Sequence, residues 1–299
     1  MSVPVLLVTG FLGAGKTSFI NQLLQADHGL RIAAIVNDFG SINIDAALLE
    51  GAADGVIGLK NGCICCSLQG DLLRTLKIVL NQNPGPDHIV IEASGVADPA
   101  GIAQSLTDPV LWSQVRLETI ACLIDVPDLA ARADDPLWQA QVSGSDIHCL
   151  AKTEGTTLTE LTAVRETLAD LGKQHVFDLS KGFPHMAVFH PEPRKRTALN
   201  KPLQDDRFAH LEWQYNGKID LRRFQSVMSA LAPDLLRAKG FVWVAEGSLL
   251  FQMTGTRATL SRAPEAASAA QQGCQLVLIG ERKRFDADRV EQQLNGLIA

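Results

Sequence analysis

"GFLGAGKT", Gly10 to Thr17, is entered from an apolar run, "VPVLLV" (residues 3–8), and left through an amphipathic one, "TSFINQLLQA" (residues 17–26). Strand, glycine-rich turn ending in Gly-Lys-Thr, then helix is the arrangement of a phosphate loop. The glycines let successive main-chain amides turn inward toward phosphate oxygens, and the helix N-terminus adds partial positive charge. Lys16 is then placed to reach the β- and γ-phosphates, and the Thr17 hydroxyl to ligate magnesium. Four further apolar runs follow: "RIAAIV", "HIVIEA", "TIACLID" and "DIHCLA". They are short and apolar throughout, as strands buried on both faces are. Helical patterns separate them. Leu68, Leu72, Leu76 and Val79 form one stripe, and Leu158, Leu161, Val164, Leu168 and Leu171 another, the latter opened by a Thr157–Glu160 capping box. The alternation predicts an α/β fold, a doubly wound P-loop NTPase sheet.

That pattern fills residues 1–181. Residues 182–206, "GFPHMAVFHPEPRKRTALNKPLQDD", hold four prolines and mixed charges and read as a surface linker. Residues 207–299 then give "HLEWQYN" as a strand, a helix from Ile219 to Lys239, and the strands "FVWVAE", "SLLFQMTG" and "CQLVLIG". "DADRVEQQLNGLI" closes as a helix. The β-α-β-β-β-α order predicts a smaller C-terminal α+β domain, with one helical layer on a mostly antiparallel sheet.

An apolar share of 46%, a charged share of 20% and a net charge of −6 over 299 residues suit a soluble globular protein. They argue against a general grip on nucleic acid. No apolar stretch approaches the roughly 18 residues of a membrane span. No Lys or Arg precedes the first apolar run, as a secretory signal requires, so a cytoplasmic location is expected. There the six cysteines stay reduced.

Three of those cysteines crowd into four positions, Cys63-Ile64-Cys65-Cys66, just ahead of the Leu68 stripe. Thiolates at a helix N-terminus are favoured by its exposed amides. Three soft sulfurs can converge on one ion such as zinc and leave a fourth position open. The bland alternative is three buried, inert thiols. Two other polar positions end buried strand patterns. Glu92, in "IVIEASG", can hold the magnesium shell, and Gly95 allows main chain to approach the γ-phosphate. Asp38, in "VNDFG", is a candidate switch residue that contacts magnesium or positions water.

The series "GFLGAGKT", "VNDFGSINID", "NGCICCSLQGDL" and "IVIEASGVADP" resembles the CobW-like GTPases, metallochaperones related to the nickel-insertion GTPases of urease and hydrogenase. "LRAKGFVWVAE" (residues 236–246) resembles the C-terminal domain of the same family. The resemblance implies GTP, bound by Gly10, Gly13, Ala14, Gly15, Lys16, Thr17, Ser18, Gly95, Lys152 and Glu154. It implies Glu92 as the Walker B carboxylate, and Cys63, Cys65 and Cys66 as ligands of zinc, with cobalt or nickel possible. Slow hydrolysis of GTP to GDP would then time metal transfer to a client metalloprotein, from a monomer or weak homo-oligomer.

Two positions depart from the family. Where the guanine-reading Asn-Lys-x-Asp is expected, this chain has Ala151-Lys152-Thr153-Glu154, which loosens the choice of GTP over ATP. Asp38 stands where the family has Glu. No histidine-rich tract is present. The rival reading is a metal-sensing or zinc-buffering protein with weak or relaxed hydrolysis, and a third is a small-molecule kinase.

Overall fold

The run that enters the phosphate loop is strand β1 (Val3–Gly10), and it runs through the middle of a seven-stranded, wholly parallel sheet. The computed structural model describes residues 2–36, 56–58, 68–106, 111, 114–189, 207–255, 257–263 and 273–298. After β1 come α1 (Lys16–Gln25), β2 (Ile32–Val36), β3 (Val56–Gly58), α2 (Leu68–Leu80), β4 (His88–Glu92), α3 (Pro99–Leu106) and β5 (Val115–Asp125). Then follow α4 (Leu129–Arg132), α5 (Pro136–Ser143), β6 (Ile147–Ala151), α6 (Leu158–Asp170), β7 (Val176–Asp178) and α7 (His185–Phe189). The strand order is β3-β2-β4-β1-β5-β6-β7.

From β1 the chain moves toward one edge of the sheet, and after β4 it moves toward the other. Parallel crossovers are right-handed, so helices fall on both faces and the sense of winding reverses beside β1. One face buries Val5, Leu7, Ile35, Ile89, Ile91 and Ile120 under Leu72, Leu76 and Val79 of α2 and Ile102 and Leu106 of α3. α1 buries Phe19, Ile20 and Leu23.

All five long apolar runs form strands, whereas β3 and β7 are three residues each. β7 was not expected, because "VFD" is too short to show a period. The Thr157–Glu160 capping box is present, but α6 buries only Val164 and Leu168 fully. Leu158 and Leu171 are exposed, so the stripe read there is narrower than five leucine-type positions suggested. Residues 185–189, read as linker, form α7 and bury Val188 and Phe189. The Phe189 ring lies 5.4 Å from that of His28 and 5.2 Å from that of His88.

Residues 207–298 make a second compact unit. It contains β8 (Phe208–Tyr215), α8 (Leu221–Leu231), β9 (Arg237–Val244), β10 (Gly247–Thr254), β11 (Arg257–Arg262), β12 (Cys274–Glu281) and α9 (Ala287–Asn295). The antiparallel sheet has the order β11-β10-β9-β12-β8. Phe224, Met228 and Leu231 of α8 and Val290 and Leu294 of α9 pack on Trp213, Val242, Phe251, Leu276 and Leu278. Asp220 and Asp286 cap the two helices through the amides of Arg223 and Arg289. β9 and β12 approach so closely at Gly240 that a Cβ there would lie 1.9 Å from the Gln275 carbonyl oxygen.

Two expectations for this unit are corrected. The helix from Ile219 to Lys239 is only Leu221–Leu231. Pro233 follows in a 3-10 turn, and the chain is already a strand at Arg237. A further strand, β11, was missed because "RATLSR" is polar and five of its six residues are exposed, leaving no apolar alternation.

His148, buried on β6, gives a pH test of the first unit. Burial lowers its pKa to about 4, against the upward pull of the Val142 carbonyl that accepts from its Nε2 at 3.0 Å. The unfolded chain, with an ordinary imidazole near 6.5, binds the proton first, so folding stability falls as pH drops from about 6.5 toward 4. Urea denaturation should show about 2 kcal/mol lost from this group at pH 5 relative to pH 7.5. His148→Gln should flatten that slope. An unchanged slope in the variant would place the proton uptake elsewhere.

Candidate functional site: a phosphate loop at the sheet's switch point

Sheets of this winding bind ligands beyond the carboxyl ends of their strands, where the winding reverses. The Gly10–Thr17 loop lies there. Gly10 has φ +138°, and a Cβ on it would come within 2.4 Å of the Leu123 carbonyl oxygen of β5. Gly15, with φ +94°, is the N-cap of α1. That helix has no side-chain cap and no acidic residue in its first turn, which leaves its N-terminal dipole directed at the loop. Ala14 is buried and Ser18 is exposed.

Lys16 is buried, and its ammonium donates to the carbonyl oxygens of Gly10 (2.9 Å) and Phe11 (3.2 Å). Two main-chain carbonyls of the loop thus face the ammonium. The Thr17 hydroxyl donates to the Glu92 carboxylate, 3.3 Å from Oε1 and 3.4 Å from Oε2. Glu92 ends β4, where it is the register partner of Val8 on one side and Val36 on the other. It is buried, a costly place for a carboxylate without a local charge role. The chain then runs back against the loop. Ala93 N donates to Val8 O at 2.8 Å, and a Cβ on Gly95 would lie 2.8 Å from Leu12 N.

The other wall is the end of β6. A Cβ on Gly15 would be 3.9 Å from that of Ala151, so the strand ends beside the loop. Lys152 is in the left-handed region (φ 58°) and its ammonium pairs with Asp125 of β5 at 2.6 Å. Thr153 Oγ1 donates at 2.9 Å to Asp178 Oδ1, which also accepts from Ser180 N and Oγ. Burial raises the Asp178 pKa, but the Ser180 and Thr153 hydrogen bonds outweigh it, and the net shift is downward. Glu154 is exposed.

Gly10, Gly13, Ala14, Gly15, Lys16, Thr17, Ser18, Glu92 and Gly95 thus meet at one end of the sheet, with Lys152 close by through Asp125. Asp38 and Cys63, Cys65 and Cys66 lie outside the described residues. Among the described residues no group of three or more His, Cys, Asp or Glu could hold a metal ion. Cys122, Cys149 and Cys274 are free thiols, as expected. Asp125 and Asp178 were missed in the sequence. Each ends a strand, the signal that singled out Glu92.

Residues 4–177 match the model of the CobW/HypB/UreG nucleotide-binding domain, and residues 208–298 that of the cobalamin synthesis protein CobW C-terminal domain. The chain belongs to the CobW family. This CobW-family chain is 31% identical over 280 residues to the zinc chaperone YjiA of Escherichia coli, covering 84% of this chain and 85% of that protein. It is 33% identical over 196 residues to the zinc chaperone CobW of a Sinorhizobium species, covering 56% of this chain and 55% of the relative. A Schizosaccharomyces pombe protein named zinc-regulated GTPase metalloprotein activator 1 is 33% identical over 175 residues, 56% of this chain and 43% of that one. For the last two, the chain spans about half the length of the relative it matches.

Gly10→Ala tests whether the loop depends on this close passage. The positive φ and the Leu123 carbonyl oppose any side chain, so a loss of about 3 kcal/mol or more is expected in urea denaturation. A change below about 0.5 kcal/mol would mean that the loop does not need the contact.

Proposed function

We propose that this protein is a GTPase zinc chaperone that binds its metal through Cys63, Cys65 and Cys66 and couples nucleotide state to metal transfer to a client metalloprotein. The observation that carries the nucleotide half is the convergence of Lys16, Thr17 and Glu92 on a glycine loop at the switch point of the sheet. Family membership and the zinc-chaperone names of the relatives support the metal half.

The loop amides and the Lys16 ammonium neutralise the β- and γ-phosphates as charge develops on them. Lys16 reaches them by exchanging two carbonyl acceptors for charged oxygens, a stronger hydrogen-bonding partner. Thr17 and Glu92 bring a hydroxyl and a carboxylate within hydrogen-bond distance of each other. These are hard oxygen donors, which suit magnesium. The two residues would hold it, and it would supply charge neutralisation at the phosphates. Asp38 is assigned to the switch segment. On the base side, Lys152 offers its stem for stacking and Glu154 a carboxylate for the guanine N1 and N2 donors. Ala151 supplies no polar group, so discrimination between GTP and ATP is relaxed.

The zinc is cargo. Three thiolates bind it and leave a coordination position through which a client ligand can take it. GTP raises the affinity of the three sulfurs for zinc, and hydrolysis to GDP lowers it.

Phosphate release from GTP, compared with Lys16→Ala, tests the first half. The variant should lose 100-fold or more in kcat/KM, as removal of a charge-stabilising donor does. Equal rates would end the GTPase reading. Competition with a zinc chelator tests the second. The triple variant Cys63→Ser, Cys65→Ser, Cys66→Ser should lose one zinc per chain. Wild type should hold zinc more tightly with a non-hydrolysable GTP analogue than with GDP. Equal affinity in both states removes the coupling and leaves a zinc-buffering protein.

A further inference from the structure

Helix α5 carries a buried glutamine outside the groups described above. Gln141 is 0% exposed, and its Nε2 donates to two main-chain oxygens of the segment after β4, Gly95 O at 3.3 Å and Ala97 O at 3.1 Å. A carboxamide nitrogen has two hydrogens, so both are committed. The Oε1 atom is buried as well and has no hydrogen-bond partner among the described residues. Turning the amide over would point that oxygen at two carbonyls, so its orientation is fixed by its neighbours. A side chain kept only to fill this space would be Leu or Met, which strand no acceptor. What the amide contributes is its two donors.

Those donors hold a defined piece of chain. The peptide joining Gly95 to Val96 is fixed at both ends, its carbonyl by Gln141 and its amide by Ser94 Oγ at 3.4 Å. The Ala97 amide closes a turn onto Ser94 O at 3.0 Å. The far side of Gly95 faces Leu12 of the phosphate loop, with no room for a Cβ. Gln141 therefore ties to α5 the segment that packs against that loop. The helix that carries it is itself anchored. Asp135 caps its N-terminus through Leu137 N at 2.8 Å, Ser145 Oγ donates to Gln141 O at 2.6 Å, and His148 of β6 donates to Val142 O.

We infer that Gln141 is a positioning residue for the terminal phosphate of the nucleotide. It holds Gly95 at the distance from the phosphate loop that a triphosphate needs, and a diphosphate, which ends short of Gly95, does not need it. Gln141 touches main chain and not phosphate, so it acts through Gly95. The inference rests on the nucleotide reading proposed above.

The test uses full-length wild type, Gln141→Met, which fills the same volume without donors, and Gln141→Asn, which keeps the donors but is one methylene short of spanning both carbonyls. Fluorescent GDP, a fluorescent non-hydrolysable GTP analogue, and steady-state kcat and KM are measured for each. Gln141→Met should bind GDP within twofold of wild type, bind the GTP analogue tenfold or more weakly, and lose kcat in parallel. Gln141→Asn should fall between the two. Equal weakening of GDP and analogue would reduce Gln141 to a structural residue, and unchanged affinity for both would overturn the assignment. If Gln141→Met does not fold, Gln141→Asn carries the same comparison. Wild type that binds neither nucleotide would sink the nucleotide reading itself, a failure seen before any variant is compared.

Discussion

Main chain passes main chain at Gly10 with no space for a side chain between them, and the geometry of the phosphate end of the sheet depends on that contact. Because Gly10 lies against the Leu123 carbonyl, the chain can leave β1 steeply and return as α1 directly above the strand ends. The same passage brings the Gly10 and Phe11 carbonyls to face Lys16. It also brings Thr17 within reach of a carboxylate that ends a different strand, 75 residues away. Charge at this site is thus placed by the backbone, and side chains refine it.

The base side is built differently. There the turn after β6 is tied by two carboxylates, Asp125 to Lys152 and Asp178 to Thr153 and Ser180. Both carboxylates end strands that neighbour β6, so the turn hangs from the sheet on either side. Ala151 contributes only a methyl to the wall beside Gly15.

What could be read in the sequence follows from how each element is stabilised. β1, β2, β4, β5 and β6 are buried on both faces, so burial writes itself into composition as an unbroken apolar run. Glycines with positive φ and the Gly-Lys-Thr ending are equally plain, because few other residues can serve there. β11 was invisible because its side chains are mostly exposed and its pairing with β10 uses only main chain. The α8 boundary was overrun because Leu235 and Ala238 keep an apolar spacing past Pro233, yet belong to a turn and a strand. Pairwise side-chain contacts at the site, such as Lys152 with Asp125, had no local signature, since register across the sheet creates them.

The three described cysteines have a consequence for measurements of the other three. Burial pushes the Cys122 thiol up to about 12, and it raises the pKa of Cys149 and Cys274 as well. At neutral pH they remain protonated and enclosed, a poor form for soft metals or alkylating reagents. On the folded chain these three therefore stay silent in thiol titrations, and any native titre comes from Cys63, Cys65 and Cys66. Unfolding exposes these three, so the rise they add between native and denatured thiol titres is an internal standard built into the fold.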